Sequence, residues 1–265
     1  MRSFLSRVAV TAVGLPVVLG LVYLGGWWLF GLAAVVGVLA LHELFRLTRG
    51  FRPVALAGFA GTLLTLWGAE AGGPRWMVAG LVATVVLAFV LRGLASARVS
   101  LTVSVGVTTL GTAWVGLGLG YIILVRELPE HGRLAAFAVL LAVFAGDTGA
   151  YLFGKLFGRH RMAPVVSPGK TWEGFFAGTA VCVFVTWVSL YETGFLEGWR
   201  SIVLGGAIAL SSVIGDLFES AIKRDVGAKD SGGLLAGHGG VLDRIDALLL
   251  AGVVSYYVIA AFGAA

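Results

Sequence analysis

Residues Leu134–Phe157 read LAAFAVLLAVFAGDTGAYLFGKLF, a long apolar run that contains one acidic residue, Asp147. As an α-helix it rises about 1.5 Å per residue, which is enough to cross the roughly 30 Å hydrocarbon core of a bilayer. Similar runs recur along the chain, and together they predict an all-α fold with several membrane-spanning helices. An aspartate inside such a helix is energetically costly, so Asp147 is also the first candidate for a functional residue.

The composition excludes an ordinary soluble protein. Of the 265 residues, 58% are hydrophobic and only 12% are charged, and the mean hydropathy is +0.96. Soluble domains carry about twice that charged fraction. The 40 glycines suit membrane helices whose backbones approach closely. The single cysteine, Cys182, lies in an apolar run and has no partner for an internal disulfide.

We predict a polytopic helical integral membrane protein with about nine spans in a single membrane domain, residues 1–265. Residues 1–133 would hold the first five spans as a scaffold, and residues 134–265 the last four as the catalytic half. We expect the first span to be retained rather than cleaved as a signal peptide. The predicted spans are Val8–Leu24, Trp27–Phe45, Val54–Ala69, Trp76–Leu91, Leu101–Val125, Leu134–Phe157, Gly174–Tyr191, Ser201–Ile222 and Leu242–Phe262.

The positive charges predict which side of the membrane each loop occupies. With nine spans, all of the 19 lysines and arginines fall on one side except Arg75, Arg126, Arg133 and Arg200. Because cytoplasmic loops retain Lys and Arg, the richer side is predicted to be cytoplasmic. The formal net charge of +5 is explained in the same way, and we expect no nucleic-acid partner.

Acidic side chains gather near the predicted cytoplasmic ends of the last spans. Asp216, Glu219 and Lys223 recur at i, i+3 and i+7, so they share one helix face. Asp243 and Asp246 form a second i, i+3 pair at the start of the last span, where the helix dipole favours negative charge.

Each acid has two interpretations, an ion pair with a nearby base or a functional role. For Glu43 we expect pairing with Arg46, one turn away, whereas for Glu219 beside Lys223 both interpretations stay open. Converging aspartates repel one another unless a cation lies between them, and Mg²⁺ is commonly held by one or two carboxylates together with substrate phosphates. We therefore interpret Asp147, Asp216, Asp243 and Asp246 as functional, with Asp216, Asp243 and Asp246 as metal ligands.

Two basic loops on the same predicted side supply groups for phosphate. Gly169-Lys170-Thr171 resembles the end of a P-loop, but Pro164 stands where that motif needs glycine, so we reject it. Lys170 still fits phosphate binding at a helix start. Ser167 and Thr171 fit either phosphate binding or capping of the helix.

The second loop, Ser220 to Asp246, mixes cations with acids, glycines and a histidine. Without a second histidine nearby, we do not expect His238 to bind zinc, and it is assigned an assisting role. Glycines let the backbone approach a ligand closely. The candidates for binding phosphates or nucleotide in this loop are Ser220, Lys223, Arg224, Lys229, Gly239, Gly240 and Arg244.

These motifs resemble those of the phosphatidate cytidylyltransferases, also called CDP-diacylglycerol synthases. The likeness is strongest from Asp147 to Asp246, and the first five spans resemble the family mainly in hydropathy. The motifs that carry it are Asp147-x-x-Ala150-Tyr151-x-x-Gly154, Ser167-Pro168-x-Lys170-Thr171-x-Glu173-Gly174, Gly215-Asp216-x-x-Glu219-Ser220, Ser220-x-x-Lys223-Arg224-x-x-x-x-Lys229-Asp230 and Gly237-His238-Gly239-Gly240-x-x-Asp243-Arg244-x-Asp246.

The resemblance implies transfer of CMP from CTP to phosphatidic acid, which yields CDP-diacylglycerol and pyrophosphate in phospholipid biosynthesis. It further implies Mg²⁺, in some members a monovalent cation such as K⁺, a homodimer, and an active site facing the cytoplasm from the cell membrane. A transporter would spread its polar groups across the membrane, whereas here they gather on one face. A CDP-alcohol phosphotransferase would show a dense aspartate motif in two adjacent helices, which the sequence lacks.

Overall fold

The computed structural model describes residues 14–94, 100–232 and 239–264. Its first helices are α1 (Gly14–Leu24), α2 (Gly26–Leu47), α3 (Ala55–Gly72) and α4 (Pro74–Gly93). A continuous helical stretch follows, made of α5 (Leu101–Gly111), a π-helical segment (Thr112–Leu117) and α6 (Gly118–Arg126). The breaks have local causes: Gly25 has a φ of 68°, and Gly73, with a φ of 78°, precedes Pro74 at the first position of α4.

The later part of the chain holds α7 (Gly132–Phe157), α8 (Trp172–Ser189), α9 (Trp199–Asp225) and α10 (Leu242–Ala261). A β-hairpin between α7 and α8 pairs β1 (Arg161–Ala163) with β2 (Ser167–Thr171) in antiparallel register. The sequence predicted an all-α fold without strands. The hairpin escaped prediction because its two strands have only three and five residues, too few to show an alternating apolar pattern.

Seven helices in the described part of the chain are long and apolar enough to cross a membrane: Gly26–Leu47, Pro74–Gly93, Leu101–Arg126, Gly132–Phe157, Trp172–Ser189, Trp199–Asp225 and Leu242–Ala261. The prediction of a multi-span helical membrane protein is therefore confirmed. Helices also occur at the other two predicted spans, as α3 and as the described part of α1.

Helix α4 shows how the lipid environment shapes the packing. It buries Met77, Gly80, Thr84 and Ala88, which recur every three or four residues. Its large apolar side chains point outward instead, for example Val82 and Val86 at 56% exposure each. Small residues inside and large apolar residues outside are expected where hydrocarbon surrounds the protein.

The described chain divides into two compact units. The first contains the described residues as far as Leu124 together with Val226–Ile245, and the second contains Val125–Asp225 and the chain from Asp246 onward. Helix α10 thus begins in the first unit and continues in the second. The predicted scaffold and catalytic halves, divided at residue 133, stay a prediction.

Within the second unit, α7 and α8 pack along a seam of small residues. A Cβ atom added at Gly178 would lie 2.7 Å from both the Ala150 Cβ and the Gly146 carbonyl oxygen. One added at Gly174 would lie 2.6 Å from the Ala150 carbonyl oxygen. These separations leave no room for a side chain, so the glycines set the distance between the two helices.

Candidate active site

Helix α9 places three charged side chains on one face, as their spacing predicted. The Lys223 ammonium donates to Glu219 Oε2 at 2.9 Å, and both residues are buried. Of the two interpretations left open for Glu219, the ion pair is the one that the structure contains. Because a buried carboxylate is costly when unpaired, this contact also holds the Lys223 side chain in place.

Lys170 reaches α9 from the hairpin. It lies on β2, and its ammonium is 2.9 Å from Asp216 Oδ2 and 3.4 Å from the Val213 carbonyl oxygen. The Ser220 hydroxyl donates to the other carboxylate oxygen of Asp216 at 3.3 Å. The sequence predicted Lys170 and Ser220 as ligands for the nucleotide and did not foresee that they converge on Asp216.

Asp246 and Asp147 complete this group of charges. A Cβ atom at Gly215 would lie 2.6 Å from the Asp246 carbonyl oxygen, so the backbones of α9 and α10 approach closely there. The Glu219 and Asp246 carboxyl groups are near enough to share a hydrogen bond. Asp147, from α7, interacts electrostatically with Asp216, Asp246 and Lys170.

We call this set the charged cluster, and its members all belong to the second unit: Asp147, Lys170, Asp216, Glu219, Lys223 and Asp246. Its four carboxyl groups outnumber its two ammonium groups, so additional positive charge is favourable there. Its ammonium groups, in turn, are suited to bind phosphate oxygens.

Asp147 lines a cleft in the second unit. The lining is mostly apolar and includes the polar residues Thr179 and Ser212. Within the described residues, neither of their hydroxyl groups has a hydrogen-bond partner. The functional role of Asp147 stays a prediction.

The hairpin is fixed at both ends. At its base, His160 Nδ1 lies 2.6 Å from Glu173 Oε1, and the His160 backbone N–H donates to the same carboxylate at 3.2 Å. Near its turn, the Val166 carbonyl oxygen accepts from Arg224 Nε at 3.2 Å. Arg224 itself is exposed. These contacts hold the strand that carries Lys170.

For Thr171, the capping interpretation is the one that the structure contains. Its hydroxyl accepts from the Gly174 backbone N–H at 3.2 Å, and the residue is buried at the N-terminus of α8. Ser167 lies at the start of β2 and is half-buried. Its predicted contact with the nucleotide stays a prediction.

The remaining predicted residues belong to the first unit. Asp243 accepts hydrogen bonds from the Ser231 backbone N–H at 3.1 Å and from the Gly240 backbone N–H at 2.9 Å. Gly239 has a φ of 81°, a conformation that favours glycine. Lys229 and Arg244 are exposed, and His238 lies outside the described residues.

Glu43 was assigned wrongly from the sequence. Its carboxylate is buried and contacts a distant part of the first unit rather than Arg46: Oε2 accepts from the Leu242 backbone N–H at 2.9 Å and from the Ser231 hydroxyl at 3.2 Å. The sequence shows that Glu43 is a carboxylate in an otherwise apolar helix, which suggests a specific role. It does not show which residues the carboxylate contacts.

The described residues contain no metal cage made of protein ligands alone. In the part of the chain that the structure describes, no three His, Cys, Asp or Glu side chains converge closely enough to hold a metal ion by themselves. Mg²⁺ does not require such a cage, since it is commonly bound by one or two carboxylates, water and substrate phosphates. Asp216 already has a cationic group, the Lys170 ammonium, at 2.9 Å, so this carboxylate is suited to hold positive charge.

Comparison with known proteins identifies the family. Residues 5–262 match the model of the Cytidylyltransferase family. The chain belongs to this family. The match covers nearly the whole sequence, so the first five spans are included as well as the charged loops that carried the resemblance.

Individual members of the family are similar in sequence to this chain over most of their length. The phosphatidate cytidylyltransferase of Mycobacterium leprae (strain TN) is 35% identical over 272 residues, which cover 94% of this chain and 86% of that protein. The Mycobacterium bovis protein of the same name is 34% identical over 269 residues, covering 94% and 85%. In Staphylococcus aureus (strain COL), the protein so named is 34% identical over 251 residues, covering 92% and 94%.

Proposed function

We infer that this membrane protein transfers CMP from CTP to phosphatidic acid, forming CDP-diacylglycerol and pyrophosphate. The observation that carries the inference is its identity of 34–35% to phosphatidate cytidylyltransferases over more than nine-tenths of its length. The charged cluster agrees with this activity, because ammonium groups suited to phosphate lie beside carboxylates on helices long and apolar enough to cross a bilayer.

In the proposed reaction, an oxygen of the lipid phosphate attacks the α-phosphorus of CTP. A new P–O bond forms as the bond to the β-phosphate oxygen breaks, and pyrophosphate leaves with that oxygen. Catalysis of this kind depends mostly on positioning and on neutralising developing charge. A phosphate monoester is already anionic at neutral pH, so the attack needs no strong base, and His238 is assigned only an assisting role.

The residues of the charged cluster divide between these tasks. Lys170 and Lys223 bind phosphate oxygens, and their carboxylate partners hold the two ammonium groups in position. Arg224, Lys229 and Arg244 are exposed and bind the outer phosphates of CTP or the lipid headgroup. Ser167, Thr171, Ser220, Gly239 and Gly240 are assigned to the nucleotide, with Thr171 acting chiefly through the start of α8.

We propose that Asp216 and Asp243 are ligands for Mg²⁺, with Asp246 as a third and Asp147 orienting a cation or a basic partner. When bound, the ion neutralises charge on the phosphates as it develops. A monovalent cation such as K⁺ belongs to the same proposal. Asp243 already accepts backbone hydrogen bonds, and these would orient its carboxylate.

We further propose nine spans, with the N-terminus, the hairpin and the segment between α9 and α10 on the cytoplasmic side of the cell membrane. The distribution of Lys and Arg supports this orientation. It brings cytoplasmic CTP to phosphatidic acid at the surface of the leaflet. A homodimer is proposed on the basis of the family resemblance.

The direct test is to incubate the purified protein with phosphatidic acid, Mg²⁺ and CTP labelled at the α-phosphate. We expect labelled lipid that depends on phosphatidic acid and disappears when EDTA removes the metal. ATP and dCTP serve as alternative donors. Absence of labelled lipid with every donor would overturn the proposed function.

A further inference from the structure

We propose that Glu43 is a positioning residue that fixes Ser231 and the start of α10 for binding CTP. The proposal rests on the proposed function, because the groups positioned are Lys229 and Asp243. Glu43 lies on α2, and no motif of the family resemblance includes it. It acts through Ser231 and through the first turn of α10, all within the first unit.

A single carboxylate oxygen of Glu43 joins Ser231 to the start of α10. Oε2 accepts from the Ser231 hydroxyl at 3.2 Å and from the Leu242 backbone N–H at 2.9 Å. All three residues are buried, with exposures of 1% for Glu43, 5% for Ser231 and 0% for Leu242. Buried hydrogen bonds to a charged acceptor contribute more than bonds between neutral groups.

The second contact amounts to a helix cap supplied from another helix. Leu242 is the first residue of α10, and the first N–H groups of a helix have no partner within it. A carboxylate is favoured there because the helix dipole places partial positive charge at the N-terminus. Glu43 thereby determines where α10 starts, one residue before Asp243.

Ser231 links Glu43 to Asp243. Its hydroxyl donates to Glu43, and its backbone N–H donates to the Asp243 carboxylate at 3.1 Å. Lys229 precedes Ser231 by two residues. Displacement of Ser231 would therefore move a proposed phosphate ligand and disturb a proposed metal ligand together.

Two glycines, Gly232 and Gly240, pack closely against the same carboxylate. A Cβ atom at Gly232 would lie 2.6 Å from Glu43 Oε1, and one at Gly240 would lie 2.5 Å from Oε2. The Gly240 N–H also donates to Asp243. The sequence favoured ligand approach as the reason for glycine at 240, whereas these distances indicate that the glycine makes room for Glu43.

The test compares steady-state kinetics of wild type, Glu43→Ala and Glu43→Gln in detergent. For Glu43→Ala we expect the KM for CTP to rise about tenfold or more, because two buried bonds to a charged acceptor are lost. The KM for phosphatidic acid should not change. Glu43→Gln keeps an acceptor oxygen and should restore most of the affinity. His42→Ala, an exposed neighbour on the same helix, is the control and should match wild type.

A second readout does not depend on turnover. Lys229 is exposed, so trypsin cleavage after it, followed by mass spectrometry, reports on the position of the chain next to Ser231. We expect faster cleavage in Glu43→Ala than in wild type or His42→Ala. If Glu43→Ala fails to fold, Ser231→Ala provides the same test, since it removes one of the two bonds, and its KM for CTP should rise roughly threefold.

Two outcomes would overturn the proposal. One is an unchanged KM for CTP in a folded Glu43→Ala or Ser231→Ala variant. The other is a fall in kcat alone with both KM values unchanged, because that result would mean fewer folded molecules rather than misplaced ligands. Wild type is assayed first, so that an inactive wild type counts against the proposed function and not against the role of Glu43.

Discussion

Lys170 and Lys223 are each held by a carboxylate of the charged cluster. Each ammonium lies 2.9 Å from its partner, Asp216 or Glu219. A lysine side chain has several rotatable bonds, so an ion pair that restricts it lowers the entropy lost when a phosphate binds. The carboxylates are therefore as important to phosphate binding as the lysines themselves.

Lys170→Ala removes the ammonium group that β2 presents to Asp216. We expect kcat/KM for CTP to fall about 10- to 100-fold, because a charged hydrogen-bonding group is lost and Asp216 is left without its partner. Lys155→Ala is the matched control, since Lys155 is exposed in the last turn of α7. Equal activities of the two variants would exclude Lys170 from the site.

Asp216→Asn preserves the size of the side chain and removes its charge. If Asp216 holds Mg²⁺, the Mg²⁺ concentration for half-maximal activity should rise about tenfold or more. Asp225→Asn, an exposed change at the end of the same helix, should leave it unaltered.

Asp243→Asn tests the proposed metal ligand of the first unit by the same titration of activity with Mg²⁺. We expect turnover at limiting Mg²⁺ to fall, because the amide lacks the negative charge that a hard divalent ion prefers. Substantial turnover at limiting Mg²⁺ would remove Asp243 from the metal ligands. Its role would then be limited to the hydrogen bonds with Ser231 and Gly240.

Helices α7 and α8 depend on close backbone contact rather than on large side chains. Along α7 the contact residues are Gly146, Ala150 and Gly154, four positions apart. Gly174 and Gly178 oppose them on α8 with the same spacing. Lipid tails are as apolar as the helix surfaces, so the hydrophobic effect does not drive these helices together. Small residues let them associate through close van der Waals packing instead. Asp147, on α7, lines the same cleft as Gly178 and Cys182 of α8.

Gly178→Ala places a Cβ atom 2.7 Å from that of Ala150. We expect a loss of about 1–3 kcal/mol in stability, because the helices must move apart to admit it. Gly206→Ala is the matched control in α9, where nothing lies within 4 Å of an added Cβ. Thermal unfolding in detergent, followed by tryptophan fluorescence, measures both. An unchanged Tm for Gly178→Ala would contradict the importance of the seam.

The lengths of the helices and the distribution of basic residues both fit a chain that spans a membrane. The described residues include helices long enough to span it, and basic residues are concentrated on one predicted side. In the predicted topology the hairpin and the segment between α9 and α10 share that side, because two predicted spans separate them. Under the proposed orientation, both sets of phosphate-binding candidates would face the compartment that contains CTP.

Single cysteines on either side of α8 test the proposed orientation. In a Cys182→Ser background, Arg159→Cys and Glu197→Cys are compared, and both positions are exposed. We expect a membrane-impermeant maleimide to label Glu197→Cys in intact spheroplasts and Arg159→Cys only after permeabilisation. The opposite pattern would invert the topology, and equal labelling of both would argue against α8 as a span.

Much of the architecture could be predicted from the sequence. Among the described residues, each predicted span overlaps a helix, because length and hydropathy are local properties that a bilayer selects directly. The Asp216–Glu219–Lys223 face followed from helix periodicity in the same way. The number of spans that cross and the orientation of the active face remain predictions.

The sequence by itself determined that this is a helical membrane protein of the cytidylyltransferase family, because hydropathy and motif spacing are written along the chain. Only the tertiary structure decided which charges meet. Lys170 joins Asp216 across a hairpin that no periodicity predicted, and Glu43 binds the N–H of Leu242, 199 positions away. Such pairings depend on how helices pack in three dimensions. The local sequence around a carboxylate in an apolar run does not identify the distant residue that will contact it.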